Sequence, residues 1–447
     1  MKQFRLLLPF LAGLLWAGTL PAGPPFHAAD VQLDGRLNYP YVSSSGGKVF
    51  LQIALTTGNV GGNDRRPMNI AIVLDRSGSM SDQGKMEYAK RAISQLIDQL
   101  NENDILSVVI YDDLIEVLRP AKRIGRDKQR IKRAVERISP RNSTNLGGGM
   151  IEGFRQAERH LSKEHVNRVI LLSDGLANQG ITDPLELNRI ARRYRARSIS
   201  LTTMGVGLDY NENLMVGLSE SGGGNYYFIE SPSQLASMMR RELNAVSSVL
   251  AQNASIELTL TEGVRLLDII GCEHTLVSDR YVIPVGDIYA NDLQEFTVEL
   301  ELPEGSGTRT VATGTLRFET DRRDLLIEPT FTAKVHYTKD IVEIERRRDF
   351  DTQAKVDIAV STRTVEKALK AIDEGRAAEA VQEIQAAQDY LNASPAASSS
   401  GANGTMIREQ LQKLESYEDA VKDSSGNSRK TKKQIQFDNY RTRKNKQ

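Results

Sequence analysis

The apolar residues of this 447-residue chain repeat with two different periods. From Met68 to about Leu250, short apolar runs alternate with stretches in which apolar residues recur every three to four positions. Such runs are typical of buried parallel strands, and such stretches are typical of surface helices. We expect strands at 68–74, 104–111, 166–173, 198–206 and 225–229, and helices at 84–100, 126–138, 146–162, 184–197, 211–220 and 232–248. The alternation predicts an α/β domain over 64–250, with a doubly wound, Rossmann-like parallel sheet.

On both sides of this segment the period shortens to two, which is typical of half-buried strands. Val49 to Leu55 alternate in this way before the segment, and Phe296 to Leu302 do so after it. The early strands have no partner before the α/β segment begins. We therefore expect 31–60 and 251–340 to form one antiparallel β-sandwich, with the α/β domain inserted into it.

The end of the chain is predicted to be helical and then disordered. Apolar residues at helical spacing mark helices within 345–422, interrupted by an Ala/Ser/Gly-rich segment at 393–404. Residues 424–447 carry eight lysines and arginines against the single acid Asp438. We expect a disordered basic tail. It either only solubilises the protein or binds an acidic surface such as a membrane, a polysaccharide or a partner.

Composition and the N-terminus narrow the possible settings. Acidic and basic side chains balance at 58 each, so net charge indicates no nucleic-acid partner. Lys2 and Arg5 precede an apolar run, which predicts a signal peptide over 1–29 and export to the periplasm, the cell surface or the medium. An uncleaved N-terminal membrane anchor is the alternative. The single cysteine, Cys272, excludes an intramolecular disulfide framework and a thiolate metal cluster.

Small oxygen-bearing residues follow the predicted strands of the α/β domain. Asp75, Ser77 and Ser79 come directly after the first strand, Asp174 follows the third, and Thr144 precedes a helix. Ligands of doubly wound sheets bind at the carboxyl ends of the strands, so these two carboxylates and three hydroxyls can converge. Oxygen-only ligands suit a hard divalent cation.

These motifs, in this order, resemble the metal-ion-dependent adhesion site of the von Willebrand factor type A domain. The resemblance covers roughly 68–248, and the turn Gly205-Val206-Gly207 and the segment Gly224-Asn225-Tyr226-Tyr227 also resemble that family. The flanking regions resemble bacterial exported members and, more loosely, inter-alpha-trypsin inhibitor heavy chains.

The resemblance implies that Ser77, Ser79 and Thr144 bind the cation directly, while Asp75 and Asp174 act through water. Mg²⁺ is the expected ion, with Ca²⁺ and Mn²⁺ as alternatives. Neutral hydroxyls leave such a cation electrophilic toward one more anionic oxygen, which an Asp or Glu of a protein partner would supply. The implied function is a non-enzymatic, metal-dependent protein-binding module for adhesion or complex assembly.

Two other functions stay open at this point. A bound cation could activate water in a metal-assisted hydrolase, but the sequence shows no Gly-x-Ser-x-Gly motif and no histidine near the motifs. We therefore expect no enzyme and no catalytic residues. Alternatively, the α/β domain could be a scaffold for the helices and the basic tail. The basic runs 119–137 and 189–197 are interpreted as solvated helix faces, and Asp112-Asp113 as part of a turn.

Overall fold

The structure of the protein is a computed structural model that describes residues 31–58, 65–141, 143–319, 328–423 and 428–444. The predicted signal peptide at 1–29 lies outside these residues. Within the ranges just given, no helix is both long enough and apolar enough to cross a membrane.

The central sheet of the chain is built from strands β4 (Met68–Asp75), β5 (Ile105–Tyr111), β6 (Ile115–Arg123), β7 (Val166–Ser173), β8 (Ile199–Val206) and β9 (Gly223–Ile229). Their order is β6-β5-β4-β7-β8-β9, and all neighbours are parallel except β6, which runs antiparallel to β5. The helices around it are α1 (Lys85–Gln99), α2 (Lys128–Glu136), α3 (Leu146–Glu158), α4 (Pro184–Arg195), α5 (Glu212–Gly222) and α6 (Leu235–Ser247).

Helices cover both faces of this sheet, as the apolar runs predicted. Every residue of β4 is buried. Ile72 faces a core shared with α1, α2 and α6, whereas Val73 faces a second core shared with α3, α4 and α5. The doubly wound α/β fold is therefore confirmed.

Two further sheets form the sandwich. The strands of the first, in spatial order, are β1 (Val31–Leu37), β3 (Gly47–Thr57), β14 (Leu293–Leu302) and β11 (Arg265–Ile269). Those of the second are β12 (Thr275–Val277), β13 (Arg280–Tyr289), β10 (Val249–Leu260), β15 (Gly307–Glu319), β16 (Thr330–Thr338) and β2 (Tyr41–Ser43). Strands that precede the α/β domain in the sequence pair with strands that follow it, for example with Leu51 opposite Val298. The insertion of the α/β domain into a sandwich is confirmed.

After the sandwich come helices α7 (Ile341–Arg346), α8 (Phe350–Asp373), α9 (Ala377–Asn392) and α10 (Ala402–Lys422). Ala368, Ile384 and Leu414 belong to a core that these helices build for themselves. The Nζ of Lys355 on α8 lies 2.5 Å from Glu295 Oε1 of the sandwich, so α8 also rests on the first sheet.

The basic tail is not disordered where the structure describes it. Residues Ser428–Arg443 form helix α11, which packs between the α/β domain and α8. Tyr440 is buried in the α/β core, and Ile435 is buried in the core of the helical region. The prediction was wrong because it weighed charge alone. These apolar side chains dock the helix, and its cations pair with acids, as Arg443 does with Glu220 at 2.9 Å.

The basic run 119–137 is also not one helix face. Its first part lies in the edge strand β6, and only α2 is helical. Ala121 on β6 is buried, whereas Lys122 and Arg123 are exposed. Charged side chains on an edge strand oppose pairing with another chain, which explains a basic run in a strand.

Candidate metal centre

The two predicted acids meet at the carboxyl edge of the central sheet. β4 and β7 are parallel neighbours with Leu74 opposite Leu172, so Asp75 and Asp174 follow at the same edge of the sheet, with Asp174 one residue further along its strand direction. The order of strands reverses here, since the chain passes from β4 outward to β5 on one side and later to β7 on the other. Such a switch point is where open α/β sheets bind ligands.

The three predicted hydroxyls lie around Asp174. Ser79 Oγ donates to Asp174 Oδ1 at 2.8 Å, and the Oγ atoms of Ser77 and Ser79 are 3.2 Å apart. A Cβ placed on Gly175 would lie 3.3 Å from Thr144 Oγ1, 3.5 Å from Ser79 Oγ and 3.9 Å from Ser77 Oγ. Three hydroxyl oxygens thus surround one small space beside a carboxylate, and the absence of a side chain at Gly175 keeps that space open.

Asp75 holds the loop that follows β4 through hydrogen bonds. Its Oδ1 accepts a hydrogen bond from the backbone N–H of Ser77 at 2.8 Å. Its Oδ2 accepts from Ser173 Oγ at 2.8 Å and from Tyr111 OH at 3.3 Å. Burial raises the pKa of Asp75 to about 6, and the charge of Asp174 adds to that effect, whereas the hydrogen bonds from Ser77 oppose it. Burial disfavours the ionised form of such a carboxylate, and a positive charge bound nearby stabilises that form.

Lys85, the first residue of α1, occupies the inner side of the site. Its side chain is 3% exposed, and its Nζ lies 2.8 Å from Asp174 Oδ2. Burial raises the pKa of Asp174, and the hydrogen bond and charge of Lys85 oppose the rise. Sequence reasoning missed this lysine. One signal was available, because the first turn of a helix disfavours a cation, so a lysine there needs an anionic partner.

Asp112 joins the loops that carry the site, so it does more than the predicted turn requires. Its Oδ2 accepts from Arg76 Nε at 2.9 Å and from Arg141 Nε at 2.6 Å. Its carbonyl accepts from the backbone N–H of Asn145 at 2.7 Å. Burial acts to raise the pKa of Asp112, but the hydrogen bond from Arg141 and the charge of Arg76 hold it below its ordinary value. The loop after β4 and the loop carrying Thr144 are therefore tied together.

The chemistry of these donors fits a hard divalent cation. Among the residues that the structure describes, no three His, Cys, Asp or Glu side chains come together as a metal-binding group. A cation at this edge of the sheet would therefore depend on hydroxyls as well as carboxylates, a donor set that suits Mg²⁺, Ca²⁺ or Mn²⁺ and not a thiolate-seeking metal. Exposed Gly78 and Leu176, the latter 56% exposed, border the outward side.

The histidines lie elsewhere. His160 and His165 are at the amino-terminal edge of the sheet, where His160 Nε2 is 3.0 Å from the carbonyl of Ala121. His274 and His336 belong to the sandwich. The site contains no described histidine that could act as a general base.

Comparison with known proteins identifies the α/β domain. Residues 69–241 match the family model of the von Willebrand factor type A domain. The protein YfbK of Escherichia coli is 28% identical over 191 residues, which are 42% of this chain and 33% of YfbK. The protein sll0103 of Synechocystis is 31% identical over 206 residues, 46% of this chain and 48% of that protein. Inter-alpha-trypsin inhibitor heavy chain H3 of Rattus norvegicus is 25% identical over 198 residues, 43% of this chain and 22% of the heavy chain. The chain thus spans half or less of the length of these relatives.

Two solved structures share the arrangement of most of the chain. A von Willebrand factor type A protein from Catenulispora acidiphila matches with a TM-score of 0.71 at 15% identity, covering 94% of this chain and 98% of that one. The ArnB paralog VWA2 from Sulfolobus acidocaldarius matches with a TM-score of 0.60 at 18% identity, with the same coverage. At these identities the likeness shows the fold, which extends over the sandwich and the helices as well as the α/β domain.

Proposed function

Because residues 69–241 form a von Willebrand factor type A domain, we propose that this chain is a non-enzymatic, divalent-cation-dependent protein-binding module. Domains of this family are commonly metal-dependent protein interaction modules. In the proposal, Ser77, Ser79 and Thr144 hold the cation directly, and Asp75 and Asp174 hold it through water. Mg²⁺ is the proposed ion.

The convergence of three hydroxyl groups beside Asp174 is the main support for this proposal. The hydroxyl oxygens of Ser77, Ser79 and Thr144 all lie within 3.9 Å of the point where a Gly175 Cβ would stand, beside Asp174 Oδ1. A purely structural turn gains nothing by directing three hydroxyls into one small space next to a buried carboxylate. Oxygen ligands of a hard cation require such an arrangement.

The neutral hydroxyls also determine the kind of partner. Three uncharged ligands compensate little of a divalent charge, so a bound cation would attract a further anionic oxygen from the open side. The rim at Gly78 and Leu176 is exposed, which leaves room for a side chain of another protein. We therefore propose a protein partner that presents an Asp or Glu. In this proposal the encounter takes place outside the cytoplasm, as a signal peptide over 1–29 would imply.

Binding to an acidic surface through the tail gains no support. Cations of α11 are engaged within the chain, since Lys432 pairs with Glu212 at 2.6 Å and Lys430 pairs with Glu230 at 2.5 Å. Lys433 Nζ donates to the carbonyl of Tyr210 at 2.7 Å. Three cations of the predicted basic tail are therefore used in contacts within the chain.

Calorimetric titration with Mg²⁺ tests the metal site. We expect one ion per wild-type chain and a loss of binding in the double variant Ser77→Ala/Ser79→Ala. Ser81→Ala is the matched control, because its Oγ lies in the same loop but donates to the carbonyl of Gly78, at 2.7 Å. Equal binding by the double variant and the wild type would contradict the site.

The partner itself can be sought by affinity capture on the immobilised full chain. Capture is run from native envelope extract in Mg²⁺ and again in EDTA. A true ligand is lost on chelation, and its binding depends on one exposed Asp or Glu. A partner that binds equally well in EDTA and survives replacement of each of its acids would place the interaction surface elsewhere.

A further inference from the structure

Lys85 is the part of the site that the proposed function leaves unused. Its side chain is 3% exposed and forms an ion pair with Asp174, one of the proposed cation ligands. The inference drawn from it rests on the proposed function, because it concerns the affinity of the same site for its cation.

The lysine is fixed in position from three sides. Its Nζ lies 2.8 Å from Asp174 Oδ2 and 3.5 Å from the carbonyl of Ser79. A Cβ on Gly207, in the loop after β8, would lie 3.3 Å from Lys85 Cε and 3.6 Å from Nζ. Gly207 has a φ of +78°, a conformation that side chains rarely adopt. The side chain therefore runs in a narrow passage between the two loops and ends on the carboxylate.

The charges around Asp174 show what the lysine does. Asp75 and Asp174 are both fully buried and would carry two negative charges if both were ionised. Lys85 supplies one positive charge directly to Asp174, whereas Arg76, from the same loop, faces Asp112 and Glu116. The inner side of the site thus holds a tethered cation that compensates half of the acidic charge.

We propose that Lys85 is a built-in counter-ion that lowers the affinity of the site for its divalent cation. It keeps Asp174 paired when no cation is bound, so the loops stay folded. It repels an arriving divalent charge at short range, so occupancy depends on the free concentration of that cation. With a cation bound, the same lysine leaves the site with a net positive charge, which favours the incoming carboxylate of a partner.

The test uses two variants of Lys85 and one matched control. Lys85→Gln keeps a hydrogen-bond donor for Asp174 and removes the charge, while Lys85→Arg keeps the charge. Lys90→Gln is the control. It lies on the same helix, is similarly buried, and pairs with Glu87 at 2.8 Å, away from the site. Mg²⁺ affinity is measured by calorimetric titration of the full chain, and the unfolding temperature is measured in EDTA and in excess Mg²⁺.

We expect Lys85→Gln to bind Mg²⁺ roughly tenfold more tightly than the wild type, since a short-range charge repulsion is removed. Its unfolding temperature should fall in EDTA and recover in Mg²⁺. Lys85→Arg and Lys90→Gln should keep the wild-type affinity. If Lys85→Gln cannot be handled without metal, the titration is replaced by competition between Mg²⁺ and a chelator of known affinity.

Two results separate the possible failures. Wild-type protein that binds no Mg²⁺ overturns the proposed function. Wild-type protein that binds Mg²⁺ while Lys85→Gln binds it equally or more weakly overturns the counter-ion role alone.

Discussion

Strand β7 has a buried cluster of charge near each end, and the two clusters differ in what covers them. In its amino-terminal half, Arg168 meets Glu242 of α6 and Asp287 of β13, and all three side chains are buried. Just past its carboxyl end, Asp174 meets Lys85. Each cluster brings two carboxylates together with one basic side chain.

The carboxylates of the Arg168 cluster are hydrogen-bonded by surrounding protein groups. Arg168 Nη2 lies 2.6 Å from Asp287 Oδ2, and Ser200 Oγ donates to the other oxygen of that carboxylate at 2.9 Å. Glu242 accepts from Thr202 on one oxygen and from Asn225 on the other, at 2.6 Å and 2.8 Å. Asp287 comes from the sandwich and the three charged side chains are buried, so this cluster joins the two domains.

The cluster at Asp174 has hydroxyl oxygens on its outer side and an exposed rim. Buried charge and shifted pKa values occur at both ends of β7, so they do not tell a functional site from a structural one. What distinguishes the two ends is coverage: one cluster is covered by a second domain, and the other is bordered by three hydroxyl groups and by the exposed Gly78 and Leu176. This comparison predicts different responses to mutation.

The largest effect is expected at the sealed end. Arg168→Met should destabilise the protein by about 3–5 kcal/mol, because it leaves Glu242 and Asp287 buried without their cation. The free energy of unfolding is measured by denaturant titration, with the exposed Arg193→Met as the control. The loss should be the same in EDTA and in Mg²⁺. A loss below about 1 kcal/mol would show that the cluster does not hold the domains together.

A smaller, pH-dependent effect is expected at the open end. Burial raises the pKa of Asp75 to about 6 in the folded protein. The neutral acid therefore contributes stability that is fully present below the ordinary pKa of an aspartate and is lost as the pH rises through 6. In EDTA, Asp75→Asn should therefore gain up to about 3 kcal/mol relative to the wild type between about pH 4 and about pH 8.

Asp112→Asn provides the opposite sign as a control. The pKa of Asp112 is lowered in the folded protein, so its carboxylate stabilises above its ordinary pKa and that contribution is lost as the pH falls. Asp112→Asn should lose stability relative to the wild type at about pH 8. If the stability of both variants relative to the wild type changed with pH in the same direction, burial of Asp75 would have no energetic consequence.

The smallest effect on stability, within about 0.5 kcal/mol, is expected for Thr144→Ala. Its hydroxyl faces the space beside Gly175 from a separate loop. We expect it to weaken partner binding roughly tenfold while some Mg²⁺ binding remains, which corresponds to about 1.4 kcal/mol. Thr182→Ala, on the exposed loop nearby, is the control. Unchanged partner affinity in Mg²⁺ would remove Thr144 from the binding site.

The sequence predicted the parts of this molecule that leave a local pattern. The change in the period of apolar residues predicted the inserted domain. The close spacing of Ser77 and Ser79 in the sequence predicted that they share one loop. The sequence did not identify the ion-pair partners of Lys85 and Arg168, because these partners lie 89 and 119 residues away and are chosen by packing. Helix α11 was missed for a related reason: its docking depends on Tyr440 reaching a core whose other members come from the α/β domain.

The route of the chain through the inserted domain also determines how the protein would carry a mechanical load. β4 enters the domain at Met68, and α6 leaves it for β10 at Val249, both at the edge of the sheet opposite the candidate metal centre. A partner pulling on the loop after Asp75 would pull along β4, which is hydrogen-bonded on both sides to parallel neighbours. Such a strand is loaded in shear, so the backbone hydrogen bonds on its two sides must break together and not one at a time. Under the proposed function, tension on the candidate metal centre would therefore reach the sandwich through β4.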